Sequence, residues 1–343
     1  MKKLASVLLA LVLSLTCVGA FAEGSITVFN WFDYIDESVI DMFQEETGIE
    51  VSYVNFTTNE EMFSKLKKTS GMYDVIFPSD YIIERMIKDD MLAELDLAAM
   101  PNVAGLTDWL KTPDYDPEGK FSVAYMWGTV GILYNTEMVD GEIDSWAAMF
   151  DEKFSRNVFM MDSIRDTLGI TLKMLGYSMN TRNQDELFAA RDALIKQKAD
   201  GIVKGYLVDE TKDKMVSGEA ALALMWSGDA LYSIEENEAL AYVVPKEGSN
   251  VWVDGMCIPK DSQNIEDAQK FIDFLCRPDI ARMNMEYIYY STPIQAVVDE
   301  MDEEERNNLT LNPTQDILDR CEFFNDIADD MSIYDQIWME VRA

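Results

Sequence analysis

The chain has 343 residues, with 63 Asp and Glu against 28 Lys and Arg, four Cys and no His, for a formal charge of −35 at pH 7. Such a negative field opposes nucleic acid and anionic lipid and attracts cations. The missing imidazole removes Ser-His-Asp and Cys-His catalytic sets, His-ligated zinc and the commonest general base near neutral pH, leaving carboxylates, tyrosines and tryptophans for site chemistry.

Residues 1–22 read as a secretory signal peptide: Lys2 and Lys3, an apolar run from Leu4 to Leu15, then Ala20-Phe21-Ala22, with the cut before Glu23. Cleavage would leave 321 residues (343 − 22) and remove two lysines, taking the formal charge from −35 to −37. A lipoprotein signal would place Leu three positions before Cys17 and a small residue just before it, where this chain has Ser14 and Thr16. The expectation is therefore a free exported protein in the periplasm, with lipid anchoring through Cys17 on the outer face of the cytoplasmic membrane as the alternative. Cys257, Cys276 and Cys321 form an odd, scattered set and read as buried apolar thiols. The longest later apolar run, Ala220 to Trp226, falls far short of the roughly 18 residues a spanning helix needs.

Ser25 to Asn30 alternates as a strand, Asp36 to Thr47 carries Val39, Met42 and Phe43 at helical spacing, and Gly48 stops it. Ile49 to Phe56 is a second strand, Thr58-Asn59-Glu60-Glu61 a capping-box pattern opening a helix, Tyr73 to Phe77 a third strand ended by Pro78, and Tyr81 to Met91 a helix. The β-α-β-α-β-α order predicts an open, largely parallel sheet. After an irregular stretch from Pro101 to Lys120, Phe121 to Asn135 runs extended and apolar. A second α/β pattern follows. A helix near Trp146, a strand at Asn157 to Met161, helices at Thr167 to Leu175 and Gln184 to Lys198, and a strand at Gly201 to Val208 are expected. Next come a helix at Thr211 to Ser217, strands at Ala221 to Met225 and Ala241 to Val244, and a helix at Ala230 to Glu235 between them. Gly248 to Pro259 is a second extended crossover, Ile265 to Asn284 is helical, Asp299 to Arg306 is the solvated first turn of a helix, and helical segments surround Ile317 and Ile337.

Two α/β units joined by two crossovers predict a hinged molecule with a cleft between its lobes. The expected division is lobe 1 at 23–131 and 255–300, lobe 2 at 132–254, and 301–343 as a C-terminal helical segment packing across the lobes.

Aromatic and acidic residues gather at predicted strand ends, where open α/β sheets bind ligands: Trp31, Asp33 and Tyr34; Ser79 and Tyr81; Asp166; Trp226 and Asp229; Trp252 and Asp254 on the second crossover; and Tyr290 after the long helix. Tryptophan faces hold alkylammonium ions at roughly 0.5 to 2 kcal/mol each, and carboxylates accept ammonium hydrogen bonds of roughly 1.5 to 3 kcal/mol. A few of each reach the roughly 8 kcal/mol of micromolar binding to a flexible polyamine, so the pattern predicts an organic-cation site.

Phe29 to Tyr34, Glu45-Glu46-Thr47-Gly48, Tyr73 to Ser79, Tyr125-Met126-Trp127-Gly128, Leu175-Gly176-Tyr177-Ser178, Pro245-Lys246-Glu247-Gly248, Trp252-Val253-Asp254 and Arg277-Pro278-Asp279 together resemble the spermidine/putrescine-binding components of polyamine ABC transporters, over essentially the whole chain. The resemblance implies an α/β, two-lobed fold of the periplasmic-binding-protein-like type II class. It also implies capture of putrescine or spermidine by hinge closure, delivery to a membrane permease, no catalysis, no cofactor, no metal and a monomeric state. By the same resemblance Trp31, Tyr34 and Tyr81 line one side of the cleft and Trp226 and Trp252 flank the methylenes. Asp254 holds a central ammonium, Asp166 stands near one end, Ser79 and Tyr290 are contact positions, and Asp33 and Asp229 match acids of the putrescine branch. Phe32, Ser163 and Phe324 depart from the spermidine pattern and tilt the expectation toward putrescine.

Three other readings stay open on residues alone. Tyr289-Tyr290 with a carboxylate suits ferric ion, Asp166 and Asp254 could serve as a glycosidase acid/base pair, and Arg165 could hold the carboxylate of an amino acid in a site otherwise fit for small solutes such as sugars.

Overall fold

In the computed structural model, which describes residues 24–343, the signal peptide read at 1–22 and Cys17 within it lie outside the described residues. β1 (Gly24–Trp31) pairs in parallel with β2 (Ile49–Phe56), and the connection between them is α1 (Glu37–Thr47). Asp36 caps α1 by accepting from the Ser38 amide at 2.9 Å, and Gly48 ends it in the left-handed region at φ 72°, where a Cβ would be strained. Thr58 caps α2 (Asn59–Leu66) by accepting from the Glu61 amide at 3.1 Å. The Glu61 carboxylate turns back to Thr57 rather than Thr58, so half of the expected capping box forms.

β3 is short, Val75–Ile76 instead of Tyr73 to Phe77. The Asp74 carboxylate accepts from the Thr27 amide at 2.8 Å and from the Ser262 hydroxyl at 2.6 Å, so a side chain takes over one rung of the β1 ladder. α3 (Asp80–Lys88) follows.

β4 (Ser122–Asn135) carries the architecture. It is buried along nearly its whole length, in keeping with its predominantly apolar sequence. The second pattern supplies β5 (Val158–Met161), α4 (Ile164–Met174), α5 (Gln184–Ala199), β6 (Val203–Leu207), α6 (Glu210–Val216), β7 (Leu222–Trp226), α7 (Ser227–Glu236) and β8 (Leu240–Val243), before β9 (Val251–Cys257) returns. Residues 122–129 of β4 pair antiparallel with β9, and residues 130–135 pair with β7 and β8. The strand order is β2-β1-β3-β9-β4-β7-β5-β6, with β8 also on β4. β1 is parallel to both its neighbours and β5 to both of its own, as the alternating pattern predicts, while β4 and β9 run against them.

The segment expected as one helix from Ile265 to Asn284 is two, α8 (Ile265–Leu275) and α9 (Pro278–Ile288). Pro278 has no amide proton to continue α8, and its fixed φ suits the first turn of the next helix. The turn at Trp146–Phe150 is 3-10 rather than α. Asp302 and Glu305 make a reciprocal capping box on the short helix Glu303–Asn307, the solvated acidic turn expected there.

Two main cores result. Phe29, Phe43, Phe56, Phe77 and Phe271 belong to one, and Val130, Ile132, Trp146, Leu168 and Leu194 to the other. The last helix, α10 (Met331–Arg342), packs on α5 and places Tyr334, Ile337 and Val341 in the second core. Tyr81, Trp226 and Trp252 pack against both cores, so these three rings mark the seam between the two halves.

Candidate functional site

Asp254 is the centre of the arrangement. It lies within β9, 6% exposed, and its two carboxylate oxygens accept from the Tyr34 hydroxyl at 2.8 Å and the Ser79 hydroxyl at 2.6 Å. Burial lifts its pKa to about 6, against the pull of those two donors. No lysine or arginine among the described residues pairs with it. A dry carboxylate served by two neutral hydroxyls is short of positive charge, and an ammonium entering the seam would supply it.

Local structure explains why these groups converge. Ser79 occupies the N-cap of α3 yet makes no cap hydrogen bond, because its hydroxyl is turned to Asp254. At the end of β1 the Trp31 indole donates to the Phe77 carbonyl at 2.8 Å, Asp33 takes a left-handed φ of 47°, and the chain folds back to bury Tyr34 while Phe32 and Asp33 stay exposed. Asn59, which the sequence shows only as part of a capping-box pattern, is buried and is the organiser. Its amide donates to Ser79 Oγ at 2.9 Å and to the Tyr81 hydroxyl at 3.2 Å, and its carbonyl oxygen accepts from the Ser79 amide at 3.1 Å. Tyr81 then donates to Glu60 at 3.1 Å.

Three aromatic rings meet beside Asp254. Tyr290 stands edge-on to Trp252 with ring centroids 4.8 Å apart and to Tyr34 at 6.0 Å. Its ring lies so close over Gly228 that a Cβ there would sit 2.4 Å from Tyr290 Cδ1, which ties α7 to the segment after α9. The Trp252 indole N–H is buried without a protein acceptor. Trp252 enters near the start of β9, not at a strand end, whereas Trp31 and Trp226 each close a strand.

The other three acids differ from Asp254 and from one another. Asp166, in the first turn of α4, is buried, which raises its pKa, while hydrogen bonds with Ser163 and Trp226 lower it. Asp229, in the first turn of α7, is raised by burial and lowered by Lys212, whose ammonium is 3.2 Å away, and by Tyr290. Asp33 is exposed and none of the other expected site residues bonds to it. Arg165, 5% exposed, donates to the Asn325 carbonyl at 3.1 Å and to Asn180 at 3.0 Å, with its guanidinium 4.3 Å from the Phe324 ring centroid and 5.4 Å from that of Tyr81. Tyr289 and Tyr290 face different partners, Tyr289 the Glu235 carboxylate and the Tyr232 ring. A groove of about 420 Å³ between α7 and α9, lined by Leu231, Glu235, Met285, Glu286 and Tyr289, contains none of the expected site residues.

Comparison with known proteins puts this geometry among relatives. The family described as bacterial extracellular solute-binding protein matches residues 38–310. The spermidine/putrescine-binding periplasmic protein of Salmonella typhimurium is 32% identical over 97% of this chain and 96% of its own length. The putrescine-binding periplasmic protein PotF of Escherichia coli is 29% identical, covering 92% of this chain and 91% of its own. Among solved structures, the spermidine/putrescine ABC transporter substrate-binding protein PotD of Streptococcus pneumoniae is similar with a TM-score of 0.82 at 33% identity, over 93% of this chain and 99% of that one. The two-lobed periplasmic-binding fold expected from the sequence is the fold of that neighbour.

Proposed function

Because this chain belongs to the bacterial extracellular solute-binding proteins, we propose that it captures a polyamine outside the cytoplasmic membrane and hands it to the permease of an ABC transporter. The observation that carries the reading is Asp254, a buried carboxylate with two hydroxyl donors and no cation, beside the Trp252 and Tyr290 rings at the seam of the two cores. An ammonium there completes the charge, and the neighbouring rings cover the methylenes. Asp166 with Trp226 receives the second ammonium. Trp31, Tyr34, Ser79, Tyr81 and Tyr290 line the path, and Asp33 and Asp229 stand at the other end. Relatives described as spermidine/putrescine-binding and putrescine-binding support the choice of solute.

Capture proceeds by closure of a lobe at 23–131 and 255–300 on a lobe at 132–254, with residues 301–343 across them, and needs no catalysis, cofactor or second copy of the chain. The amino-acid reading lacks its anchor, because Arg165 is committed to Asn325 and Asn180. The ferric reading suffers because Tyr289 and Tyr290 face different partners and because, among the described residues, no group of three or more acidic, Cys or His side chains is placed to hold a metal. Between polyamines, Ser163 is engaged with Asp166 and Phe324 is stacked on Arg165, so neither of these two positions adds an acid for a third ammonium, which favours putrescine.

Thermal-shift measurement against putrescine, spermidine, spermine, lysine, maltose and ferric citrate tests the reading, since ligand at 100 times its Kd stabilises by about 2.7 kcal/mol. Stabilisation by the polyamines alone is expected, and a larger shift from maltose, lysine or ferric citrate would overturn it. Isothermal titration then ranks putrescine against spermidine, and spermidine binding tenfold more tightly would refute the diamine preference.

A further inference from the structure

Lys212 projects from α6 and places its Nζ 3.2 Å from Asp229 Oδ1, with the two side chains 30% and 21% exposed. The same ammonium is 5.8 Å from the Tyr232 ring centroid, and the charges of Asp209 and Asp33 also act on it. Asp229 is no isolated surface acid. It follows Gly228, over which the Tyr290 ring packs; Tyr290 meets both Trp252 and Tyr34, and Tyr34 donates to Asp254. One connected set of contacts therefore runs from the lysine to the carboxylate at the centre of the site.

The lysine side chain is a primary ammonium on four methylenes, the same group in the same setting of acid and aromatic ring that the end of a linear polyamine would require. Being tethered, it meets Asp229 at an effective concentration in the millimolar range or above, far beyond that of any free solute. A solute ammonium reaching Asp229 would have to displace Lys212 and then lie beside it, with like charges in a partly desolvated setting.

We propose that Lys212 is a specificity-determining residue, a built-in ammonium that occupies the Asp229 end of the cleft, so that a solute finds Asp254 and Asp166 free but finds the third acid already taken. This rests on the polyamine reading of the site and deepens it by setting the number of charges the site counts. A solute with two ammonium groups matches the two free acids. One with three carries a charge for which the protein has already provided its own.

The test compares wild type, Lys212→Met, which keeps most of the stem and removes the charge, and Lys212→Arg, which keeps the charge. Isothermal titration of each with putrescine and with spermidine gives the ratio of triamine to diamine affinity. Removing the charge strengthens any cation in the cleft through the general field, so the ratio is the readout. The expected result is a ratio at least tenfold higher in Lys212→Met than in wild type, with Lys212→Arg within threefold of wild type. A ratio in Lys212→Met within threefold of wild type overturns the inference, whether both affinities rise, as a field effect, or fall, as loss of a structural prop. Wild type that binds neither amine overturns the polyamine reading together with this inference, whereas wild type that binds while the variant's ratio stays fixed overturns the inference alone.

Discussion

Replacing Asp254 by Asn changes charge and one acceptor while conserving shape. The amide oxygen can still accept from Tyr34 or Ser79, but the other hydroxyl then faces an NH2 group and must turn away. In the complex, the variant leaves an ammonium with no carboxylate in a desolvated setting, which costs about 2 to 5 kcal/mol, or about 30- to 5000-fold in Kd. Without ligand the sign reverses. The Asp254 pKa of about 6 in the folded protein lies above its ordinary value of 3.8, so the folded state holds the proton more tightly than the unfolded chain. The stabilisation this gives is complete below pH 3.8 and is lost as pH rises through 6, leaving the ionised group at pH 7 a liability of about 3 kcal/mol. Asp254→Asn should therefore melt at or above the wild-type temperature at pH 7 without polyamine while binding polyamine far more weakly. In wild type, the proton competes with the ligand for the carboxylate, so affinity should fall by about tenfold per pH unit below 6. Isothermal titration and melting curves between pH 5 and 8 check all three outcomes. Wild-type affinity in Asp254→Asn, or flat affinity in the native protein down to pH 5, would refute the assignment.

Tyr34→Phe removes one of the two donors that hold the Asp254 pKa down, so the midpoint in affinity against pH should rise above the wild-type value, and a lower midpoint would count against the role given to that hydroxyl. Trp252→Ala removes a ring face and should weaken binding by about 2- to 30-fold while the far-UV circular dichroism keeps its wild-type form. Trp146 is fully buried and donates its indole N–H to the Gly248 carbonyl at 2.8 Å, so Trp146→Ala should destabilise by about 3 to 5 kcal/mol in chemical denaturation, with polyamine affinity of the folded fraction retained.

The sequence disclosed elements wherever a local signal was complete. Alternation found β1, the Asp36 cap and Gly48 bounded α1, and the stretch from Phe121 to Asn135 read as extended is the strand β4. Strand-end reasoning placed Trp31 and Trp226 at the ends of their strands and Ser79 and Asp166 just beyond theirs, where the structure has them, because side chains at the mouth of a sheet are placed by the backbone itself. It failed where distant chemistry decides. β3 is shortened by a carboxylate that reaches Ser262, 188 positions away, and no local pattern carries that. Asn59 read as one polar residue in a capping box, and its hold on Ser79 and Tyr81 depends on α2 lying beside α3. Lys212 sits in Thr211-Lys212-Asp213-Lys214, which reads as a solvated helical face, and only the packing of α6 against α7 brings it to Asp229. The break before α9 was legible in Pro278 itself.

β4 is shared property of the two halves, laddered to β9 over residues 122–129 and to β7 and β8 over 130–135. A molecule whose halves hang on a flexible tether can lose one half and keep the other. Here, melting either half would strip a hydrogen-bonded edge from the strand on which the other is built, so the chain should denature cooperatively, in one transition rather than two. A solute gripped at the seam then protects residues far from it, and its whole binding free energy appears as resistance of the entire chain to unfolding.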